Sequence, residues 1–580
     1  MARDERTLRR MAWGIALGMT GALFAFAAVF FNMRYAANDD PAIMRILMGY
    51  DTGEPATFLL FMHGLLVWPI SVLHRIWPLV PWYSCVLLFL LFMSLTIIVK
   101  SLMVCFVHCN KSIWFGIILS AAYFIAFGLE HTTYITFTCV AGFLGTAAIA
   151  EMFSIDFQHA SDREIIIDTA KATLLLSLAY ACRLDVLLPL LAYFLLAFLF
   201  LVWLHFGFGK KNNRSLRPMI FSLILSITVL GCMAGIRQWE LSAFPSQDYL
   251  EWQKERNLTM DYYGLEKLPE DLLDQAGWDD ATLDMARGWV YLDKDITSDS
   301  LRIINEHQKA RFLRSTTDRL LIGKNIILLV AQEQPHVFRM INLAFIIGLF
   351  TAIGILFVPG KRICFLFTMG CLAGGFSVML MGLAFMGRVP IRVVLLLVMP
   401  AFIMSLMLLA HGLPKMPAFN TILVLLVLTT VAVSAFSASS TLHEMREDKK
   451  NPKYTAENCV HLEEYALSHP EHLLITDFSF SEDLRLFPSY TTSTPHNIVL
   501  WGGWTLRSAE NSEQFRRFGI DAWNFEPEAF LRDDVFFVTS YGPEPSAMLL
   551  NWLNAKIGKE ISWEVYAQHH DVYLIRFFKV

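Results

Sequence analysis

The sequence predicts a polytopic α-helical membrane protein that carries a small α/β domain outside the bilayer. Of its 580 residues, 55% are hydrophobic and only 17% charged, where a soluble globular chain has about 25% charged residues. Apolar runs of roughly 20 residues, long enough to cross a bilayer as helices, recur along the chain. After residue 438 the composition turns polar and mixed. The mild net charge of −5 argues against a nucleic-acid partner. The nine cysteines lie mostly in or beside apolar runs, the setting of small buried hydrophobes. No CxxC or Cys/His spacing points to a metal.

The first run follows the basic flank of MARDERTLRRMAWGIALG. It is too long for a cleaved signal peptide and reads as a retained anchor. The predicted spans, about eleven, cover 11–31, 83–107, 113–128, 133–152, 166–182, 186–206, 217–237, 337–358, 363–386, 390–411 and 418–438. Short loops rich in Lys and Arg stay in the cytoplasm. Arg3, Arg6, Arg9 and Arg10 mark the N-terminus, Lys210, Lys211, Arg214 and Arg217 one loop, and Lys361 and Arg362 another. All three share a side only if segment 57–77 does not cross. That segment is apolar but is flanked or broken by Pro69, Pro78 and Pro81 and carries His63, His74 and Arg75. Residues 32–82 are therefore predicted as a large external loop with interfacial helices. Residues 238–336 form a second external loop by the same count. The expectation is a multi-pass protein of the cell membrane, with a cytoplasmic N-terminus and an extracytoplasmic C-terminal domain.

The domains so divided are 1–438, within the membrane, and 439–580. In the second, CVHLEEYALSHP predicts a helix, and HLLITDFS, HNIVLWGG, DVFFVTS and DVYLIRFFKV predict strands. Helical patterns at SAENSEQFRRFG and SAMLLNWLNAKIG lie between some of them, the alternation of a small α/β domain. WGGW at 501–504 reads as a tight turn packed with aromatics.

Polar groups beside membrane helices at the outer face are the candidates for chemistry. They are Asn38-Asp39-Asp40 after the first span, Glu130-His131 between the third and fourth, Arg183 and Asp185, and Arg388 and Arg392. Carboxylates and arginines together suit sugar transfer from a polyprenyl phosphate, whose phosphate lies at the interface. A carboxylate takes the acceptor's proton, and arginine forks stabilise the departing phosphate. Asp39 or Asp40 is the predicted base. Asp40 is favoured because it precedes Pro41 at the start of an interfacial helix, where it is also the predicted N-cap. Arg183, Arg388 and Arg392 are assigned to the phosphate, with Asn38, Glu130, His131 and Asp185 in support. Asp261, Asp279, Asp280, Asp293 and Asp295 in the second loop admit a divalent cation, but no ligand spacing calls for one.

This layout resembles the GT-C class of integral-membrane glycosyltransferases. The resemblance rests on the acidic motif Asn38-Asp39-Asp40 soon after the first span and on large external loops at 32–82 and 238–336. It implies inverting transfer of a hexosyl or pentosyl group from a polyprenyl-phosphate-linked donor to a glycan, lipid or protein acceptor, in cell-envelope glycan synthesis. The class's catalytic aspartate falls on Asp39 or Asp40, and its second acidic or histidine position on Glu130-His131. No WWDYG-like run is present, which argues against an oligosaccharyltransferase. The alternative is a transporter or flippase of a lipid-linked saccharide. Such a protein would show internal repeats and polar residues near the midplane. Lys100 is predicted to snorkel to the inner face.

Overall fold

The computed structural model describes the chain outside residues 1, 157–159, 207–216, 245, 266–267, 314–320, 322, 326, 329–330, 333–334, 357–361, 386–389, 413–416, 451–456, 481–482 and 489–494. Among the described residues, ten helices are long and apolar enough to cross a membrane. The chain begins with α1 (Ala2–Phe30), α2 (Asp39–Met48), α3 (Gly64–Ile76) and α4 (Trp82–His108). Then follow α5 (Ile113–Tyr123), α6 (Leu129–Thr133), α7 (Phe137–Phe153), α8 (Asp162–Cys182), α9 (Leu187–Phe206) and α10 (Arg217–Ala243). The later membrane helices are Pro335–Ile355, Arg362–Phe385, Ile391–Gly412 and Pro417–Lys450.

Helix α7, at the predicted fourth span, has 17 residues, and all of them are buried. At 1.5 Å per residue it is about 25 Å long. It packs against α4, α8, α9 and Ile391–Gly412. Gly145 permits the approach of Leu190, because a Cβ there would stand 2.3 Å from the leucine methyl. This short helix is the centre of the bundle, and its N-terminus lies at the candidate site.

The predicted turn at Glu130-His131 is helix instead. A π-helical turn, Phe124–Gly128, joins α5 to α6, so the chain runs helically from Ile113 to Thr133 before it reverses. An i→i+5 turn widens a helix without ending it. Lys100 does not snorkel. It is buried and ion-paired with Glu151, whose Oε2 also accepts from Ser101 Oγ at 2.8 Å. The sequence reading did not single out Glu151.

In the first loop, α2 buries Ile43, Met44, Ile46 and Leu47, the i, i+3, i+4 stripe of an amphipathic helix. It ends at Gly49, whose φ of +69° is left-handed, with its N–H returned to Arg45 and Ile46 carbonyls. A side chain at this glycine would strike the Glu54 backbone, so only glycine ends the helix here. Helix α3 has 13 residues, about 20 Å against a hydrocarbon core of about 30 Å. It exposes Leu65, Trp68, Val72 and Ile76 and buries Leu66, Val67, Ile70 and His74. Arg237, on α10, ties the loop down by donating to the carbonyls of Leu59, Leu60 and Met62.

Strands β1 (Arg34–Tyr35) and β2 (Tyr134–Ile135) pair in parallel and bring the first loop to the start of α7. The C-terminal sheet holds β3 (Leu473–Thr476), β4 (Ile498–Leu500), β5 (Val535–Thr539), β6 (Ile561–His569) and β7 (Val572–Lys579), in the order β4-β3-β5-β7-β6. β3, β4 and β5 are parallel, while β7 and β6 are antiparallel additions at one edge. The four predicted strands and three helices are present. β6 was not predicted, although Ile561, Trp563 and Val565 alternate with Ser562 and Glu564 in the pattern of a half-buried strand.

The C-terminal domain does not close its core alone. Trp252, Tyr291 and Ile304 of the second loop are buried in one cluster with Phe515, Phe537 and Trp552. The division at 438 falls inside the helix Pro417–Lys450. Three of the five aspartates singled out in the second loop meet a cation supplied by the chain. Lys556 Nζ lies 3.1 Å from Asp279, 3.3 Å from Asp293 and 2.7 Å from Asp295. An ammonium occupies the place where those carboxylates converge.

Candidate functional site

The site forms where two helix N-termini meet. Asp39 and Asp40 open α2, and the start of α7 comes up beneath them. The cap position of α2 is Asn38, which makes no side-chain capping bond. The expected N-cap at Asp40 is therefore displaced by two residues, and Asp40 belongs to the first helical turn. Two acids in a first turn sit well with the helix dipole.

The two aspartates have different surroundings. Asp40 is fully buried. Its Oδ1 accepts from Tyr83 Oη at 2.8 Å and from the Phe137 N–H, the first of α7, at 3.0 Å. Oδ2 is buried without a hydrogen bond. Burial pushes this carboxyl up to about 7, against the lowering effect of its two donors. Asp39 instead lines a cavity of about 160 Å³ between α2 and the C-terminal domain. Its Oδ2 receives Arg392 Nη1 at 3.1 Å, and both side chains keep partial access to solvent. Arg392 stands at the second position of Ile391–Gly412, two residues after Pro390.

Asn38, Arg45, Glu463, Phe478 and Trp504 line the same cavity. Arg45 pairs with Asp51 at 2.7 Å. Burial raises the Glu463 carboxyl. WGGW supplies Trp504, whose ring meets Phe61 edge-on at 5.1 Å. Gly503 is left-handed at φ +77°, and Gly502 comes so close to the Trp289 carbonyl that no Cβ would fit. The predicted aromatic turn is therefore also part of the cavity wall. The domain is fixed over the site by hydrogen bonds to its backbone carbonyls. Tyr35 N–H donates to Leu484 O at 2.8 Å, and Ser84 Oγ donates to Leu486 O at 2.7 Å.

The other predicted residues are distributed as follows. Arg183 caps α8, with its guanidinium 5.0 Å from the Phe137 ring and 5.1 Å from Phe61. It borders the cluster and is held by the exposed Asp185 at 3.1 Å. Glu130 turns to His336 at 3.9 Å and lines a separate small recess. His131 is buried, and its Nε2 has no hydrogen bond. Arg388 lies outside the described residues. Arg45, Glu463 and Trp504 were missed as site residues. Arg45 reads in sequence as the polar side of α2, and the other two come from a segment whose contact with the first loop has no local signal.

No family model matches the chain, and no curated protein does. Solved structures with a similar outline include the apo oligosaccharyltransferase of Archaeoglobus fulgidus, 11% identical, over 92% of this chain and 69% of that one, at a TM-score of 0.42. ArnT from Cupriavidus metallidurans bound to undecaprenyl phosphate is 11% identical over 97% of both chains, at 0.39. Apo ArnT matches over the same shares at 0.37. These are similarities of outline. The chemistry of this chain is argued from its own site.

The fold also assembles two groups that sequence spacing did not suggest, Cys105/Cys109/His411 and His461/His569/His570. His411 follows Cys109 by some three hundred residues, and the second group joins a helix to a hairpin. Neither is a local motif.

Proposed function

We propose that this chain transfers a sugar from a polyprenyl-phosphate-linked donor to an acceptor at the outer membrane face, with Asp39 as the general base. The observation that carries this reading is the Asp39–Arg392 pair, in which Asp39 lines a cavity between α2 and the C-terminal domain and Arg392 reaches it from the start of a membrane helix. A lipid phosphate and a water-borne hydroxyl can meet there. The preference for Asp40 is given up, because that carboxylate does not line the cavity and its bonds hold α2, α4 and α7 together.

In the proposed step the donor phosphate takes the Arg392 fork, which releases Asp39 from its ion pair. Asp39 accepts the proton of the acceptor hydroxyl as that oxygen attacks the anomeric carbon. The bond from that carbon to the phosphate oxygen breaks, and the polyprenyl phosphate leaves with the electron pair, its charge met by Arg392. One displacement inverts the anomeric centre. Arg183 is a second cation beside the cluster and Arg388 a candidate third. Asn38 lines the pocket, while Glu130, His131 and Asp185 stand further out as supporting residues.

The test is native mass spectrometry of the purified protein with undecaprenyl phosphate, beside transfer assays with a panel of polyprenyl-phosphate sugars. The parent should retain the lipid phosphate and Arg392→Ala should lose it. A parent that holds no polyprenyl phosphate and transfers no sugar from the panel would overturn the proposal.

A further inference from the structure

The C-terminal domain carries a cluster of imidazoles that the proposed chemistry does not use. His461 lies on the helix Glu457–Ser468, His569 is the last residue of β6, and His570 lies in the turn to β7. The ligand nitrogens of all three lie within 4.8 Å of one another. The His461 and His570 rings stack at 3.9 Å, and His569 meets His461 edge-on at 5.3 Å. Glu464, one turn along the helix from His461, adds an oxygen. Its Oε2 stands 3.5 Å from His461 Nδ1 and 3.7 Å from His569 Nε2.

Two details indicate that these groups are arranged for more than packing. His461 Nδ1 is buried and makes no hydrogen bond, although its neighbour is an ordinary acceptor. His570 adopts φ +55°, in the left-handed region where a hairpin normally places Gly or Asn. That conformation puts its ring over His461.

We propose that His461, His569, His570 and Glu464 bind a divalent ion of the zinc class, with three imidazole nitrogens and one carboxylate oxygen as ligands. Bonds of about 2.0–2.1 Å in a tetrahedral site place ligand atoms about 3.4 Å apart. The Glu464 distances of 3.5 and 3.7 Å are already close to that edge, and rotation of exposed imidazoles brings in the remainder. Imidazole with carboxylate suits zinc, nickel and copper rather than calcium or magnesium. The ion would clamp the β6–β7 hairpin to the helix. The next residues of that helix, Leu462 and Glu463, line the cavity beneath, so the site would fix one cavity wall. This inference does not depend on the transfer reading.

The experiment uses the untagged full-length protein in detergent, stripped with EDTA, reloaded with zinc chloride and passed through gel filtration. Elemental analysis should find one zinc per chain, and zinc should raise the unfolding temperature of the stripped protein. His461→Ala/His569→Ala should retain no zinc while eluting at the parental volume, and zinc should not shift its unfolding temperature. Glu464→Gln should weaken zinc binding on the order of 10–100-fold, the loss caused by removing even an outer partner of a metal ligand. Cys105→Ser/Cys109→Ser separates the other three-ligand group and should keep the zinc. Cobalt in place of zinc should give d–d bands without sulfur charge transfer. No retained zinc in the parent, or full retention in His461→Ala/His569→Ala, would overturn the assignment.

Discussion

Tyr83 donates its phenol to Asp40 at 2.8 Å, and the oxygen that receives it also receives the first N–H of α7. One buried carboxylate thus joins the first loop, the second membrane helix and the central helix. Its folded value of about 7 lies above the ordinary 3.8 because burial penalises the charge. Between those values the folded chain holds a proton that the unfolded chain releases. Unfolding free energy therefore falls as pH rises through that window. The contribution is complete below about pH 4 and gone above about pH 7, and it amounts to a few kcal/mol at most. Asp40→Asn mimics the protonated form. Unfolding temperatures across pH 4.5–8 should show a declining parent and a flatter variant, with the variant at least as stable above pH 7. A parent-to-variant difference that is constant with pH would remove this account of Asp40.

Lys100 and Glu151 make a second buried pair, at the opposite end of α4 and α7 from Asp40. Removing one member strands the other charge inside the bundle. Glu151→Ala should cost about 3–5 kcal/mol, read as a large fall in detergent unfolding temperature. Replacing both with apolar residues of similar volume should recover most of it. Equal losses in the single and double variants would mean that stranded charge is not the cause.

Much of the fold was legible because membrane helices declare themselves by length and apolarity. The C-terminal strands did so as short apolar runs set between helical patterns. What escaped depended on contacts distant in sequence. Glu151 as the partner of Lys100, the second loop's share of the C-terminal core, and Lys556 among Asp279, Asp293 and Asp295 carry no local pattern. At the site, the motif Asn38-Asp39-Asp40 was visible as chemistry, but the roles of the two acids were not. Which aspartate faces the cavity is decided by the helix phase of α2 and by where α7 begins. An acidic residue before proline looked like a cap, yet Asn38 took that place.

Topology can be checked independently. If α3 lies along the membrane rather than through it, Glu54 and Leu79, exposed residues on either side of it, share one side. Glu54→Cys and Leu79→Cys should both react with an impermeant thiol reagent from outside, above the labelling of the parent's own cysteines. Labelling of only one from outside would mean that segment 57–77 crosses.

The aspartates can be told apart by paired substitutions. Asp39→Asn keeps shape and hydrogen bonding but cannot take a proton, so it should reduce transfer by on the order of 10²–10⁴-fold. It should fold normally and still bind polyprenyl phosphate. Asp40→Asn should change transfer far less, because that group holds the scaffold. Were Asp40→Asn the inactive one and Asp39→Asn near parental, the base would return to Asp40.

Among the described residues Arg392 pairs with Asp39, and it would need another partner during transfer. Its Nη1 rests 3.1 Å from Asp39, so a donor phosphate must displace that carboxylate to be held by the same fork. Asp39→Asn removes the competitor, and it should therefore bind polyprenyl phosphate as tightly as the parent or somewhat more tightly while failing to transfer. Arg392→Ala should weaken binding strongly. Arg392→Lys should recover only part, since an ammonium keeps the charge but loses the planar two-point contact. Titrating lipid phosphate against all three by native mass spectrometry ranks them. The exchange predicts Asp39→Asn first, Arg392→Lys next and Arg392→Ala last. If Asp39→Asn binds the lipid as poorly as Arg392→Ala, the pair is a structural unit and the exchange of partners does not take place.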